Sequence, residues 1–229
     1  AVGKDALLDN TTGGSNTAIG KDALKGVSTG ATSSNNVAIG LSSLIAVTTG
    51  GTNVAVGNYS MAAITTGARN VAVGYAALDA ASTTSDNTAI GYDALTATTT
   101  GYSNVAVGKD AFKANTEGQS GVAVGADAAT SNLTGHYVTA IGFEAATNTN
   151  ASANVCVGGM ALKTNTTGAY NTAMGHNALT TNNANYNTAY GYQAGMDVTT
   201  AVQSVFVGAE AGANVTTGNN NVFVGYGAG

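Results

Sequence analysis

The sequence predicts an all-β protein, a parallel β-solenoid of about fourteen 17-residue rungs running through residues 1–229 as one continuous repeat domain. Three observations predict it. A phrase of the form N-x-A-[VI]-G-x-x-A-L returns at a nearly constant interval from one end of the chain to the other. The four residues before its glycine are rich in β-branched side chains, the pattern of a short strand. Finally, 17 residues at ~3.3 Å each give at most ~56 Å of path, which suits one flattened turn of two short strands and two bends. A βαβ crossover needs ~30 residues, and a helical array would carry a 3.6-residue period that Gly, Thr and Asn interrupt.

The glycine closing each phrase stands at Gly3, Gly20, Gly40, Gly57, Gly74, Gly91, Gly108, Gly125, Gly142, Gly158, Gly175, Gly191, Gly208 and Gly225. Ten of the thirteen intervals are 17 residues, two are 16, and the one from Gly20 to Gly40 is 20. The long interval contains "GVSTGATSSNN" and reads as a three-residue loop insertion. No linker breaks the series. Residue 1 already falls inside the phrase, so the chain reads as a fragment of a longer one.

Each column has a physical reading. In a solenoid the rungs stack ~4.8 Å apart, so every residue lies on its equivalent in the next rung. The glycine column, from Gly20 to Gly225, is the structural turn: either a bend with positive φ or a close approach of backbones. Four residues earlier stands Asn in ten of thirteen copies, whose amides can hydrogen-bond along the stack. Two residues before the glycine stands Ala in eleven of fourteen, departing at Cys156, Phe206 and Phe223. Four after it comes Leu, as in Leu24, Leu78, Leu95, Leu162 and Leu179. In the last three copies this Leu becomes Gly195, Gly212 and Gly229, where Tyr190, Phe206 and Phe223 enter before the glycine. Volume lost at one column and gained at another keeps a core filled. Thirteen steps of ~4.8 Å predict a length of roughly 60 Å.

In "NVAVG" both strand faces are apolar: two valines on one, alanine on the other. Strands apolar on both faces are usually buried on both. One face fills the solenoid's own core; the small Ala column is expected to meet a neighbouring copy of the chain. The alternative is an Ala column exposed to solvent.

Composition excludes several functions. Charged residues make up 8% of the chain, with 32 glycines and no proline or tryptophan. A net charge of −5 with seven Lys and Arg provides no basic patch, so no nucleic-acid partner is expected. No apolar run reaches the ~18 residues of a membrane span, so no membrane insertion is expected in this segment. The single cysteine, Cys156, precludes an internal disulfide framework.

The columns resemble the head repeats of YadA-like trimeric autotransporter adhesins, through "NTAIG" at 16–20 and 87–91 and "NVAIG" at 36–40. They are more similar still to the 17-residue N-T-A-I-G arrays of phage and environmental tail-fibre proteins, through "NTAIGYDALTATTTG" at 87–101 and "NTAMGHNAL" at 171–179. The resemblance covers all fourteen copies. It implies a left-handed β-roll, a homotrimer, and a place in an extracellular fibre on a virion or cell surface that serves host attachment. The 17-residue spacing points toward the tail fibre rather than the adhesin head.

No catalytic, cofactor or metal site is expected, and the chain does not read as an enzyme. His136 and His176 occupy different columns, and Cys156 replaces a strand alanine. Acids recur two after the glycine at Asp5, Asp22, Asp93, Asp110, Asp127, Glu144 and Glu210. Stacked carboxylates attract Ca²⁺, yet Ser42, Tyr59, Ala76, Met160, Asn177 and Gln193 interrupt them, and Lys4, Lys21 and Lys109 stand beside acids, so they read as a solvated face. Tyr75, Tyr92, Tyr192 and Tyr226 directly follow their glycines and are candidate contacts for host-surface glycans or proteins, or else shield the strand edge. Asn10, Asn58, Asn132, Asn150, Asn165 and Asn214 begin N-x-S/T triplets, common by chance in this composition. Threonine pairs such as Thr48–Thr49, Thr65–Thr66 and Thr199–Thr200 raise ice binding as a minor reading, although they do not form a T-x-T row.

Overall fold

A computed structural model describes residues 1–27 and 30–229. The insertion read between Gly20 and Gly40 contains Ser28 and Thr29, which lie outside the described residues. The chain forms two compact units, residues 1–117 and 118–229. The fold is a parallel β-solenoid, and none of the described residues is helical.

Thirteen strands of three residues each recur: β1 (Thr17–Ile19), β2 (Val37–Ile39), β3 (Val54–Val56), β4 (Val71–Val73), β5 (Thr88–Ile90), β6 (Val105–Val107), β7 (Val122–Val124), β8 (Thr139–Ile141), β9 (Val155–Val157), β10 (Thr172–Met174), β11 (Thr188–Tyr190), β12 (Val205–Val207) and β13 (Val222–Val224). In the first unit β1 to β6 pair in sequence order and in parallel, each residue against its own equivalent, as Ala18 against Ala38 and Ala38 against Ala55. In the second unit β7 to β13 do the same. Of the fourteen copies read in the sequence, the first forms no strand: Val2 makes one isolated parallel bridge to Ile19.

Each rung has one strand, not the two that the path length suggested. The leg after the glycine stays hydrogen-bonded to its neighbours with a different backbone. Its second and fourth residues have positive φ throughout, as at Asp22 (57°) and Leu24 (50°) or Asp93 (53°) and Leu95 (52°). Asp22 N–H donates to the Lys4 carbonyl in the rung before (2.9 Å), and Leu24 N–H to the Ser43 carbonyl in the rung after (2.9 Å). The amides of these two left-handed residues thus point to opposite neighbours, while the Ala23 amide between them closes on the Gly20 carbonyl of its own rung (3.3 Å), so this leg bonds to both rungs without strand geometry.

The repeated glycine serves both roles foreseen for it. Its φ lies between 124° and 143° in every copy, a region L-residues avoid. A Cβ on Gly40 would also lie 2.5 Å from the Gly57 carbonyl oxygen and 2.6 Å from its carbon.

The core reverses one expectation. The Ala column is fully buried inside the solenoid, from Ala18 through Ala55 and Ala89 to Ala189, and the Val/Ile columns face outward and are partly exposed. The alanines therefore neither meet a neighbouring copy nor lie in water. The reason is space: the core must also hold Leu24, Leu44, Met61, Leu78, Leu95 and Phe112 from the opposite leg, all buried, and only a small residue fits across from them.

A second correction concerns Tyr190, which is 58% exposed and contributes no core volume. The bulk that replaces the missing leucines is Phe206 and Phe223. A Cβ on Gly195 would come within 2.9 Å of both Leu179 Cδ2 and Phe206 Cδ2, one on Gly212 would overlap the Phe206 ring, and one on Gly229 would lie 2.6 Å from Phe223 Cδ1. Phe206 is fully buried and stacks on Phe223 at 6.0 Å.

Candidate functional surface

The buried asparagines are taken up by hydrogen bonds along the stack. In the asparagine column, Asn53 N–H donates to Asn36 Oδ1 (2.9 Å), Asn70 N–H to Asn53 Oδ1 (3.0 Å) and Asn87 N–H to Asn70 Oδ1 (3.0 Å). Each Nδ2 donates to a carbonyl of the following turn, as Asn70 to Thr84 (2.9 Å) and Asn87 to Gly101 (3.1 Å). The stack therefore runs chiefly from side-chain oxygen to backbone amide, joined at Asn70 by an amide-to-amide bond in which Asn70 Nδ2 donates to Asn53 Oδ1 (3.1 Å). Asn132 and Asn165 are buried and hold the Gly135 and Gly168 amides at 2.7 Å, so neither triplet is open to glycosylation in the folded chain.

Cys156 is fully buried in β9, and burial pushes its thiol well above the usual range, so thiolate is scarce. His136 Nδ1 accepts from the Gln119 amide (3.2 Å), and His176 stacks on Tyr192 at 5.9 Å. Among the described residues no three His, Cys, Asp or Glu side chains gather where a metal ion could be held.

The acidic column has a local explanation. Its positive φ favours Asp and Asn among non-glycine residues, and lysines three columns on reach the carboxylates. Lys113 Nζ lies 2.9 Å from Asp110 and 3.1 Å from Asp93, one rung away, and Lys163 lies 2.6 Å from Glu144. Lys25 joins Asp22 at 3.6 Å, and Lys109 joins Asp110 at 2.6 Å. Burial alone would raise the Asp110 pKa, but Lys109 and Lys113 together hold it below the usual carboxylate range, and the same contacts raise that of Lys113.

Two surfaces remain free of such internal commitments. The first consists of aromatic rows. Tyr75 and Tyr92 stack in parallel at 5.3 Å, with Tyr59 edge-on to Tyr75 at 5.8 Å. Tyr170 and Tyr186 stack at 5.2 Å in a column five before the glycine, which the sequence reading passed over. Tyr192 and Tyr226 are exposed on their own rungs. The four predicted tyrosines thus point outward, but only Tyr75 and Tyr92 touch one another among those four. The threonine pairs are partly spent on the stack itself: Thr48, Thr65 and Thr199 hydroxyls donate to carbonyls of the next rung at 3.0–3.1 Å.

The second surface is the outer face of the strands. Of the 26 outward strand residues, two in each of thirteen strands, none is charged and 24 are Val, Ile or Thr. Ile19, Val73, Ile90 and Ile141 are among those exposed. Met174 and Tyr190 are the two exceptions; with Val157, Gly175 and Gly191 they line an open depression of about 300 Å³.

Comparison with known proteins finds no matching family, no matching curated protein and no matching solved structure.

Proposed function

We propose that this chain is the structural shaft of a homotrimeric extracellular fibre used in host or surface attachment, of the phage tail-fibre type, with the rungs wound as a left-handed roll. The observation that supports it best is the uncharged, β-branched outer strand face, repeated at every rung. A lone chain would leave that face in water, and a sheet apolar on both sides is ordinarily covered on both. The face repeats with the rung, so the partner that matches it along its length is another copy of the chain. Interiors closed by asparagine stacks and paired charges suit a structural element, and the resemblance to N-T-A-I-G arrays supplies the trimer and the fibre. Sedimentation equilibrium of the 229-residue chain tests the reading: a trimer is expected, and a monomer at micromolar concentration overturns it.

A second reading, an adhesin head that binds surfaces directly, draws on the exposed tyrosine rows. Replacing Tyr75, Tyr92, Tyr192 and Tyr226 with Ser separates the two. Unchanged attachment to host cells leaves the shaft as a spacer, and loss of attachment makes it the binding surface. Ice binding stays a minor reading, checked by thermal hysteresis.

A further inference from the structure

A chain with one cysteine has no disulfide to join its rungs, but a solenoid brings other reactive side chains together one rung apart. Tyr170 and Tyr186 stand in successive rungs of the second unit, in the column just before the asparagine. Their backbones are tied, since the Tyr186 amide donates to the Ala169 carbonyl (3.2 Å). Their rings lie 5.2 Å apart and 5° from parallel, so one is nearly a copy of the other displaced by one rung. Each is more than half exposed (57% and 55%). The pair is also isolated. In the same column the rungs on either side carry Ala153 and Gln203, whereas the Tyr75–Tyr92 stack has Tyr59 edge-on as a third ring.

Core packing does not account for these rings. Both residues have left-handed backbone, with φ of 59° and 61°, which a bulky side chain tolerates poorly. Other copies fill the column with Ser15, Asn35, Asp86, Ser103 or Asn220, and an aromatic residue held there against that preference points to a use. The stack limits what the use can be. Each ring hides one face against the other, so the pair presents mainly its phenolic edges. Those edges carry the reactive atoms, the phenol oxygen and the Cε carbons beside it. We infer that Tyr170 and Tyr186 form a site of oxidative coupling, at which hydrogen peroxide turned over by a haem peroxidase joins the two rings as a dityrosine staple between adjacent rungs. Each phenol gives up one electron and one proton, and the peroxide is reduced to two waters. The resulting phenoxyl radicals carry spin on Cε, and one Cε of each ring pairs with the other in a carbon–carbon bond. The hydrogen on each of those carbons then moves to its own phenol oxygen, which restores both aromatic rings. The fold supplies the proximity: radicals one rung apart meet without a bimolecular encounter. The inference concerns a single chain and stands apart from the trimer reading.

The test oxidises the dilute 229-residue chain with a peroxidase and limiting hydrogen peroxide, then maps the products by trypsin and mass spectrometry. Trypsin cuts after Lys113 and Lys163, so Tyr170 and Tyr186 share fragment 164–229. Tyr137 lies in the same column with Ser120 and Ala153 in the adjoining rungs, and it is the sole tyrosine of fragment 114–163. Fragment 164–229 is expected to lose two hydrogens and gain dityrosine fluorescence, while fragment 114–163 stays unchanged. Tyr186→Phe, which keeps the ring but lacks the phenol, should abolish the coupling, and Tyr137→Phe should leave it intact. The coupled chain should unfold at a higher guanidinium concentration, since a cross-link constrains the unfolded chain. No loss of hydrogens from fragment 164–229, or a loss that persists in Tyr186→Phe, overturns the site. Coupling of Tyr137 between chains as readily as the pair couples within one also overturns it, because exposure rather than the stack would then direct the chemistry. An unfolding midpoint that coupling leaves unchanged overturns the role as a staple.

Discussion

The glycine column makes a claim that three substitutions can take apart. Gly40→Ala imposes two penalties: an L-residue at φ 134°, and a Cβ 2.5 Å from the Gly57 carbonyl oxygen. Gly225→Ala imposes only the first, since its φ is 124° and nothing lies within 4 Å of its Cβ in this chain. Gly14→Ala imposes neither: its φ is ordinary and its surroundings are open. Strained backbone of this kind costs about 1–3 kcal/mol, and forcing a methyl into packed structure adds about 1–3 kcal/mol. The expected order is therefore Gly14→Ala within about 0.5 kcal/mol of the parent, Gly225→Ala down by about 1–3 kcal/mol, and Gly40→Ala down by about 2–6 kcal/mol. Native-state hydrogen exchange reads this locally. The Gly57 amide, bonded to the Ile39 carbonyl at 2.7 Å, should lose protection by at least roughly thirty-fold in Gly40→Ala, each 1.36 kcal/mol being tenfold. Equal protection in Gly40→Ala and Gly14→Ala would refute the assignment of this column to a glycine-only bend under a neighbouring carbonyl.

The other predictions follow from particular contacts. Asn70→Ala strips partners from the Asn87 amide and the Thr84 carbonyl, both inside the stack, so a loss of about 2–6 kcal/mol is expected at roughly 1–3 per buried group, read as a lower denaturation midpoint. Phe206→Ala should cost about 3–5 kcal/mol, and Gly212→Leu should also destabilise; combined they should recover part of the loss, because the leucine takes the space the ring vacates, and strict additivity would contradict the packing described. Asp79 is half-buried, and burial raises its pKa, opposed by the Ala62 amide and aided by the Asp93 carboxylate. A raised folded pKa means stability present below the unfolded value of ~3.9 and lost as pH rises through the folded one. Asp79→Asn should accordingly stabilise the protein at pH 7, with the difference fading near pH 3, and an equal midpoint at pH 7 would count against the burial. Asp110 has the opposite sign: its lowered pKa adds stability above ~3.9 that is lost as pH falls through the folded value, so Lys113→Met should flatten the acid limb of the stability curve.

The repeat, the parallel in-register stacking and the glycine bend were legible because each depends on a residue type that recurs at one spacing. The direction of the strand was not. In "NVAVG" valine and alanine are both apolar, and deciding which faces inward requires knowing what stands opposite: a column of Leu, Met and Phe that leaves room only for alanine. The exchange of leucine for phenylalanine was visible, yet its partners were misjudged at Tyr190, because a residue two before the glycine points inward and one a single step later points out. The tyrosine pair Tyr170–Tyr186 went unread because its column, directly before the asparagine, keeps no one residue type: Asn35, Thr52, Arg69 and Asp86 stand there in other copies.

The leg after the glycine was misread as a second strand, although the sequence does mark it. The columns two and four after the glycine, where φ is positive throughout, contain no Val, Ile or Thr in any of the fourteen copies. That absence stands out in a chain so rich in those residues. β-Branched side chains tolerate left-handed backbone worst, and Asp, Asn and Gly tolerate it best; Asp recurs in the first column, and Leu gives way to Gly in the second. The outer strand columns show the reverse selection, with 24 of 26 residues β-branched. Each position is thus chosen first for the hand of its backbone and only then for its side chain. The acidic column follows from this: it needs no ligand to explain it, because a left-handed residue at the surface, within reach of a lysine, is a place where aspartate is favoured on both counts.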